Sequence, residues 1–125
     1  VKFDDFSKVT IGERVVLSNN VILLTHDYSV TTVMIFKDQY PETDLCFVNE
    51  IVIEDNVFIG MNSVLLPSTH IKENSIVAAG SICRGTFDSE SLILGNPATR
   101  VKSLTYLYEA WVEKSKFVNL TKDKK

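Results

Sequence analysis

The stretch VILLTHDYSV, residues 21–30, is apolar as far as Leu24 and then turns polar, with His26, Asp27 and Tyr28 following one another directly. A free imidazole titrates at about pH 6.5, so at pH 7 it is largely neutral and can take the proton of a poor nucleophile such as an alcohol; a positioned base contributes roughly 10²- to 10⁴-fold. His26 is therefore the candidate general base. Asp27 beside it can fix the imidazole tautomer, bind an acceptor hydroxyl or stand solvated, and Tyr28 is a further candidate for contact with an acceptor. His70, the other histidine, falls in an outward slot next to a turn and is expected to face solvent. Cys46 and Cys83 lie far apart and form no CxxC pair, so they read as free thiols, and no metal site is predicted.

The bulk of the chain narrows the setting for that chemistry. Its 125 residues suit one domain, and 45% hydrophobic with 23% charged residues is ordinary globular composition. No apolar run approaches the roughly 20 residues of a membrane span, and the opening VKFDDFSK has no secretory apolar segment, so no membrane insertion and a cytoplasmic location are expected. Net charge is −3 and the only basic run is a short KDKK, which argues against nucleic acid as a partner.

The elements that must hold His26 are legible from a repeat of six. Ile11, Leu17 and Leu23 fall in one frame and Ile53, Ile59, Leu65, Ile71 and Val77 in another, all branched aliphatic. Val, Ile and Leu make up about three in ten residues, so eight such matches would arise by chance on the order of once in several thousand. Four residues after each comes Val15, Val21, Asp27, Val57, Ser63, Thr69, Ser75 or Ser81, small or β-branched apart from the aspartate. Six matches neither a helix at 3.6 nor a half-buried strand at 2. It suits a short strand plus a tight corner, three of which close a triangular coil whose strands pair in parallel at ~4.8 Å and bury the aliphatics on the axis. The predicted coils are residues 11–28, 53–70 and 71 to about 88, with Cys83 in an aliphatic slot.

Residues 29–50 break the period and must leave the column and return, as a long, unpatterned functional loop. Near the C-terminus, SLTYLYEAWVEKSKF sets Leu104, Leu107, Tyr108 and Trp111 on one helical face, expected to cap the column. The predicted organisation is one solenoid domain over 1–102, a capping helix over 103–117 and a disordered tail over 118–125.

The stretch IVIEDNVFIGMNSVLLPSTHIKENSIVAAGSICRG, followed by LILGNPATRVK, resembles the C-terminal half of the hexapeptide-repeat acyltransferases. The resemblance covers most of residues 9–102. It implies an all-β fold, a left-handed parallel β-helix with an extended loop and a C-terminal α-helix; the hand comes from the resemblance, since parallel crossovers are ordinarily right-handed. Within that family the chain is most similar to saccharide acetyltransferases of the galactoside, maltose and capsular-polysaccharide type, in which a histidine precedes an outward loop between coils. THDYS occupies that place. Departures from the pattern are IKEN in place of I-G-D-N at residues 71–74 and Ser68 where glycine is common.

What the resemblance implies is an acetyl group moved from acetyl-CoA to a sugar hydroxyl by a homotrimer with active sites between subunits. His26 is the implied base, and Asn20 the implied sugar contact. The amide of Met61, after Gly60, is the implied donor to the thioester oxygen. Phe58, Ala79 and Gly80 would line the coenzyme path, and Arg84, Arg100 and Lys102 would stand near its phosphates. Two histidines cannot supply the three-histidine zinc site of the carbonic anhydrases that share this fold. The rival readings are an N-acetyltransferase for an amino sugar, a serine acetyltransferase and a β-helix scaffold without catalysis.

Overall fold

The computed structural model describes residues 1–114 and 117. In chain order it contains β1 (Lys2–Phe3), a 3₁₀ turn (Phe6–Lys8), β2 (Val9–Ile11), β3 (Val16–Leu17), β4 (Ile22–Leu23), β5 (His26–Asp27), α1 (Ser29–Phe36) and β6 (Phe47–Val48). Then follow β7 (Ile51–Ile53), β8 (Val57–Ile59), β9 (Val64–Leu65), β10 (His70–Ile71), β11 (Ser75–Val77), β12 (Ile82–Cys83), β13 (Thr86–Phe87), β14 (Ser91–Gly95), β15 (Ala98–Ser103) and α2 (Leu104–Lys114).

These strands stack into the three faces of a prism. Face A is β1-β4-β9-β12, face B is β2-β7-β10-β13 and face C is β3-β8-β11-β14, with β15 folded back antiparallel on its end. Every pairing between coils is parallel, and the predicted frame is the observed register: Ile11 pairs with Ile53, Leu17 with Ile59, Leu23 with Leu65, and Leu65 with Cys83. Leu23, Ile53, Ile59, Leu65, Ile71, Val77 and Cys83 are wholly buried along the axis. Each such aliphatic contributes about 1.5–3 kcal/mol by leaving water.

The corner residues are buried as well, and their hydroxyls find carbonyls. Ser63 and Ser81 both donate to the Ala78 carbonyl, Thr69 to those of Leu66 and Cys83, and Ser91 to that of Asp88. Among the described residues no buried side-chain nitrogen or oxygen lacks a partner. The turns themselves need a left-handed residue, with Asn20 at φ 61°, Asn62 at 62°, Ser68 at 75° and Gly80 at 73°. Asparagine tolerates that region better than other residues with a Cβ, which explains how so few glycines suffice.

Four features depart from the sequence reading. The 29–50 insertion is not wholly unpatterned: α1 opens it, and β6 returns to pair antiparallel with β5, so the excursion is tied at its base. Ile11, placed in an inward slot, is 40% exposed, because no described strand pairs beneath β2, whereas Leu23 has β1 beneath it and is fully buried. The third coil ends early: Phe87, four residues after Cys83 rather than six, pairs above Ile71, and Gly85 turns the shortened corner at φ 88°. Finally, α2 packs against β15, with Leu104 and Leu107 half-buried but Tyr108 and Trp111 exposed. Phe87, Ile93 and Ala98 extend the buried core upward beyond the third coil. The predicted tail over 118–125 and the last turn predicted for the helix, apart from residue 117, lie outside the described residues.

Ile59 has neighbours above and below in the buried stack, which cannot collapse into a void without breaking register. Ile59→Ala is expected to cost about 2–5 kcal/mol, read as a lowered midpoint in chemical or thermal unfolding.

Candidate functional site

His26 sits where face A ends and the chain turns towards face B. Its backbone is held from two sides. β5 pairs His26 with Val48 and Asp27 with Phe47, and the N–H of Asn49 donates to the Thr25 carbonyl at 3.0 Å. From below, Asp4, just after β1, reaches up: its Oδ1 accepts from the Thr25 N–H at 2.8 Å and the Thr25 hydroxyl at 2.6 Å, and its Oδ2 accepts from the His26 N–H at 3.1 Å. The imidazole Nδ1 lies 3.1 Å from Thr25 Oγ1 and 3.6 Å from Asp4 Oδ2. Tyr28 lies nearly parallel to the imidazole, 11° between planes and 6.1 Å between centroids.

Asp4 is pulled in two directions. Partial burial raises its pKa, but the Thr25 hydroxyl, the N–H groups of Thr25 and His26 and the field of His26 outweigh that and hold the carboxyl below the usual aspartate range. Asp27, the carboxylate next to His26 in sequence, instead accepts from the Ser29 N–H at 3.0 Å and faces Arg84 at 3.8 Å. Those contacts, the Ser29 hydrogen bonds first and Arg84 after, hold it low. The corner slot predicted for Asp27 is not a corner at all, because β5 lifts off the column there. Buried Thr25 takes the inward place instead.

The second part of the site lies at the other edge of face A, where face C turns into it. Ser18, Asn19, Phe58, Gly60, Met61 and Ala79 line a groove of about 410 Å³, mostly apolar. Its floor is tight: a Cβ on Gly60 would lie 2.5 Å from the Ala79 backbone nitrogen. Its upper side is open, for a Cβ on Gly80 would meet nothing within 4 Å. Phe58 and Met61 are both exposed in it, at 42% and 46%. Asn20 stands at this same corner in the left-handed turn conformation, equivalent to Asn62 and Gly80 one and two coils on.

The candidate residues thus separate into two groups. His26, Asp27, Tyr28 and Arg84 share one corner; Asn20, Phe58, Gly60, Met61, Ala79 and Gly80 share another, across face A. Arg100 and Lys102 lie on β15 at the top of face C, where Arg100 Nε donates to Ser91 Oγ and the Lys102 ammonium sits over the Tyr106 ring at 4.4 Å. His70 is half-buried on face B with its Nε2 against Glu54 Oε2, and its backbone N–H donates to the Gly85 carbonyl. Cys83 is sealed in the core, where burial pushes its thiol up to about 12, so it takes no part. No group of three metal-ligating side chains occurs among the described residues.

Thr25 and Asp4 were not legible as site residues in the sequence. β1 stands two residues out of the six-residue frame, since Phe3 pairs with Leu23, and the 3₁₀ turn absorbs the surplus. The signal that remains is FDD: a carboxylate just after an aromatic in the short strand under a histidine-bearing coil.

A column of hexad rungs, an arm leaving between coils at a histidine, and a glycine-floored groove define a class, and the chain belongs to the hexapeptide-repeat acyltransferases. The family model for bacterial transferase hexapeptide (six repeats) matches residues 50–85. Protein CapG of Staphylococcus aureus is 40% identical over 96 residues, covering 77% of this chain and 53% of CapG. Among solved structures, a galactoside acetyltransferase in complex with coenzyme A superposes with a TM-score of 0.66 at 28% identity, over 77% of this chain and 45% of that one. AntD, an N-acyltransferase from Bacillus cereus, superposes at 0.64 with 18% identity, over 85% of this chain and 60% of that one, a likeness of fold alone. The fold is accordingly the left-handed parallel β-helix. The chain spans about half the length of the curated relatives it matches.

Because Asp4 is held below its unfolded value, its contribution to stability is present above about pH 4 and is lost as pH falls through its lowered folded pKa. The gap in thermal midpoint between the parent and Asp4→Asn should therefore be open at pH 6 and should narrow as pH drops below about 4.

Proposed function

We propose that the protein transfers an acetyl group from acetyl-CoA to a hydroxyl of a saccharide, with His26 as general base. The observation that carries this reading is the imidazole at one edge of face A, its Nδ1 side engaged by Thr25 and its Nε2 left for chemistry, with an apolar groove at the opposite edge. The groove suits the narrow pantetheine arm of the coenzyme, which supplies the activated thioester. Phe58 and Met61 would pack on the arm, and Gly60, Ala79 and Gly80 leave it room.

His26 Nε2 would accept the hydroxyl proton as the oxygen attacks the thioester carbon, and would return it to the departing thiolate. The backbone N–H of Met61 would donate to the oxyanion. A hydroxyl needs such a base because it holds its proton at neutral pH; an amine acceptor would use the same base, so the acceptor panel is what separates O- from N-acetylation. Arg84, Arg100 and Lys102 are cations available to coenzyme phosphates, Arg84 at the price of its Asp27 pairing. Asn20 and Tyr28 remain candidate acceptor contacts. A coenzyme A donor fits the cytoplasm, where Cys46 and Cys83 persist as free thiols.

The two half-sites stand at opposite edges of one face, so a complete site calls for a second copy. Face A carries Lys2, Ile22, Val64 and Ile82 outward in register, and face C carries Val16, Phe58, Ile76 and Leu92, whereas face B shows Thr10, Val52, His70 and Thr86. Outward aliphatic ladders on A and C favour a closed ring of three, in which the His26 corner of each copy stands beside the groove of the next. The arm over 29–50, with Val33, Ile35, Phe36 and Phe47 exposed, would pack on that neighbour.

Thiol release from acetyl-CoA, measured against a panel of saccharides, amino sugars and serine, should be strongest with a saccharide and fall at least about 100-fold in His26→Ala. A preference for amines or serine would replace the hydroxyl assignment, and no turnover or coenzyme binding would leave the scaffold reading. His26→Ala and Gly80→Trp, each inactive alone, should recover part of the activity when coexpressed, since a mixed ring contains sites with an intact half from each. Failure to complement, with mixed assemblies confirmed, would place both halves on one copy.

A further inference from the structure

Asp4 and Thr25 have no part in the reaction as described so far, yet they surround the side of the imidazole that faces away from a substrate. We propose that Asp4 and Thr25 form a relay that sets the tautomer of His26, which makes both of them positioning residues for the acetyl transfer proposed above, on which this role rests.

The direction of the relay follows from what each group can donate. Asp4 is a carboxylate and only accepts. The Thr25 hydroxyl lies 2.6 Å from its Oδ1, a short charge-assisted bond, so the single hydroxyl proton points at Asp4. Thr25 Oγ1 then has only lone pairs left for His26 Nδ1 at 3.1 Å, and that nitrogen must carry its proton to make the bond. The alternative tautomer, with the proton on Nε2, would require Thr25 to turn its hydroxyl away from Asp4. That would exchange a bond to a charge for one to a neutral ring nitrogen, inside a site where Thr25 has no exposed surface and water cannot substitute. Nε2 is therefore left as the unprotonated nitrogen.

The anchoring is redundant, as a positioning device requires. Asp4 also holds the N–H groups of Thr25 and His26, and so fixes the backbone from which the ring projects. β6 fixes the same residue from the other side through its pairing with β5. With the imidazole protonated during turnover, Asp4 Oδ2 at 3.6 Å from Nδ1 offsets the new charge.

The test reads the tautomer directly. In ¹⁵N-labelled protein at pH 8, imidazole ¹H–¹⁵N correlations report which nitrogen carries the proton, and His70→Gln assigns the two rings. The parent should show His26 protonated on Nδ1. Thr25→Val, which keeps the shape and removes the hydroxyl, and Asp4→Asn, which removes the charge, should both shift His26 towards the Nε2–H form. Thr25→Ser should restore the parent signature. In the acetyl-transfer assay, Thr25→Val should lower kcat about 10-fold or more with KM little changed, and Thr25→Ser should recover most of it. An Nε2–H form in the parent, or a tautomer unaltered in both Thr25→Val and Asp4→Asn while circular dichroism shows them folded, would overturn the relay. The spectroscopic arm needs no substrate, so an intact relay in a protein whose turnover survives His26→Ala would sink the proposed reaction and leave the relay standing.

Discussion

Parallel backbone pairing between successive coils is the constraint on which the rest of this molecule depends. Once β7, β10 and their counterparts on the other faces are in register, each inward side chain stacks on the one below it, and each slot must be filled by an apolar residue. The hexad frame of Ile53, Ile59, Leu65, Ile71 and Val77 is the imprint of that demand. Cys83 satisfies it as a small apolar side chain, and its thiol is inert for the same reason that it fits. The corner hydroxyls are the polar complement, buried themselves and satisfied by donating to nearby carbonyls.

The site exists because that regularity is interrupted where the chain leaves the column at β5. At Thr25 the column continues inward, but at His26 the chain lifts into β5 and departs as the arm. The imidazole therefore projects from a rigid rung while its neighbour Asp27 is carried off towards Ser29 and Arg84. A residue one position earlier would be sealed in the core, and one position later would ride on the arm. The stiffness of the stack below, through Asp4 on the segment after β1, is what gives His26 a defined orientation.

A column also explains the division of the candidate residues. A prism has little concavity of its own, and the candidate groups collect at two edges of one face; the proposed ring would bring the His26 edge of one copy beside the groove of the next. The aliphatic ladders outward on faces A and C are the surfaces that the proposed ring would bring against copies of the same chain.

The amino-acid sequence by itself determined the repeat, the inward aliphatics from Ile53 to Val77, the position of the excursion and His26 at its mouth, because each is a matter of local spacing that survives being read one residue at a time. Gly60 and Gly80 entered only through the family resemblance, and the structure adds a close approach to Ala79 at the first and a left-handed turn at the second. Only the tertiary structure decided which carboxylate serves His26. Adjacency in sequence favoured Asp27, but stacking brings Asp4 closer, and an offset of two residues in the first rung hides that pairing from any count of six. The same holds for the ends: Ile11 keeps the pattern yet is exposed, and Tyr108 and Trp111 share a helical face yet remain uncovered, because burial at the end of a stack depends on what lies beyond it rather than on the residue's own place in the period.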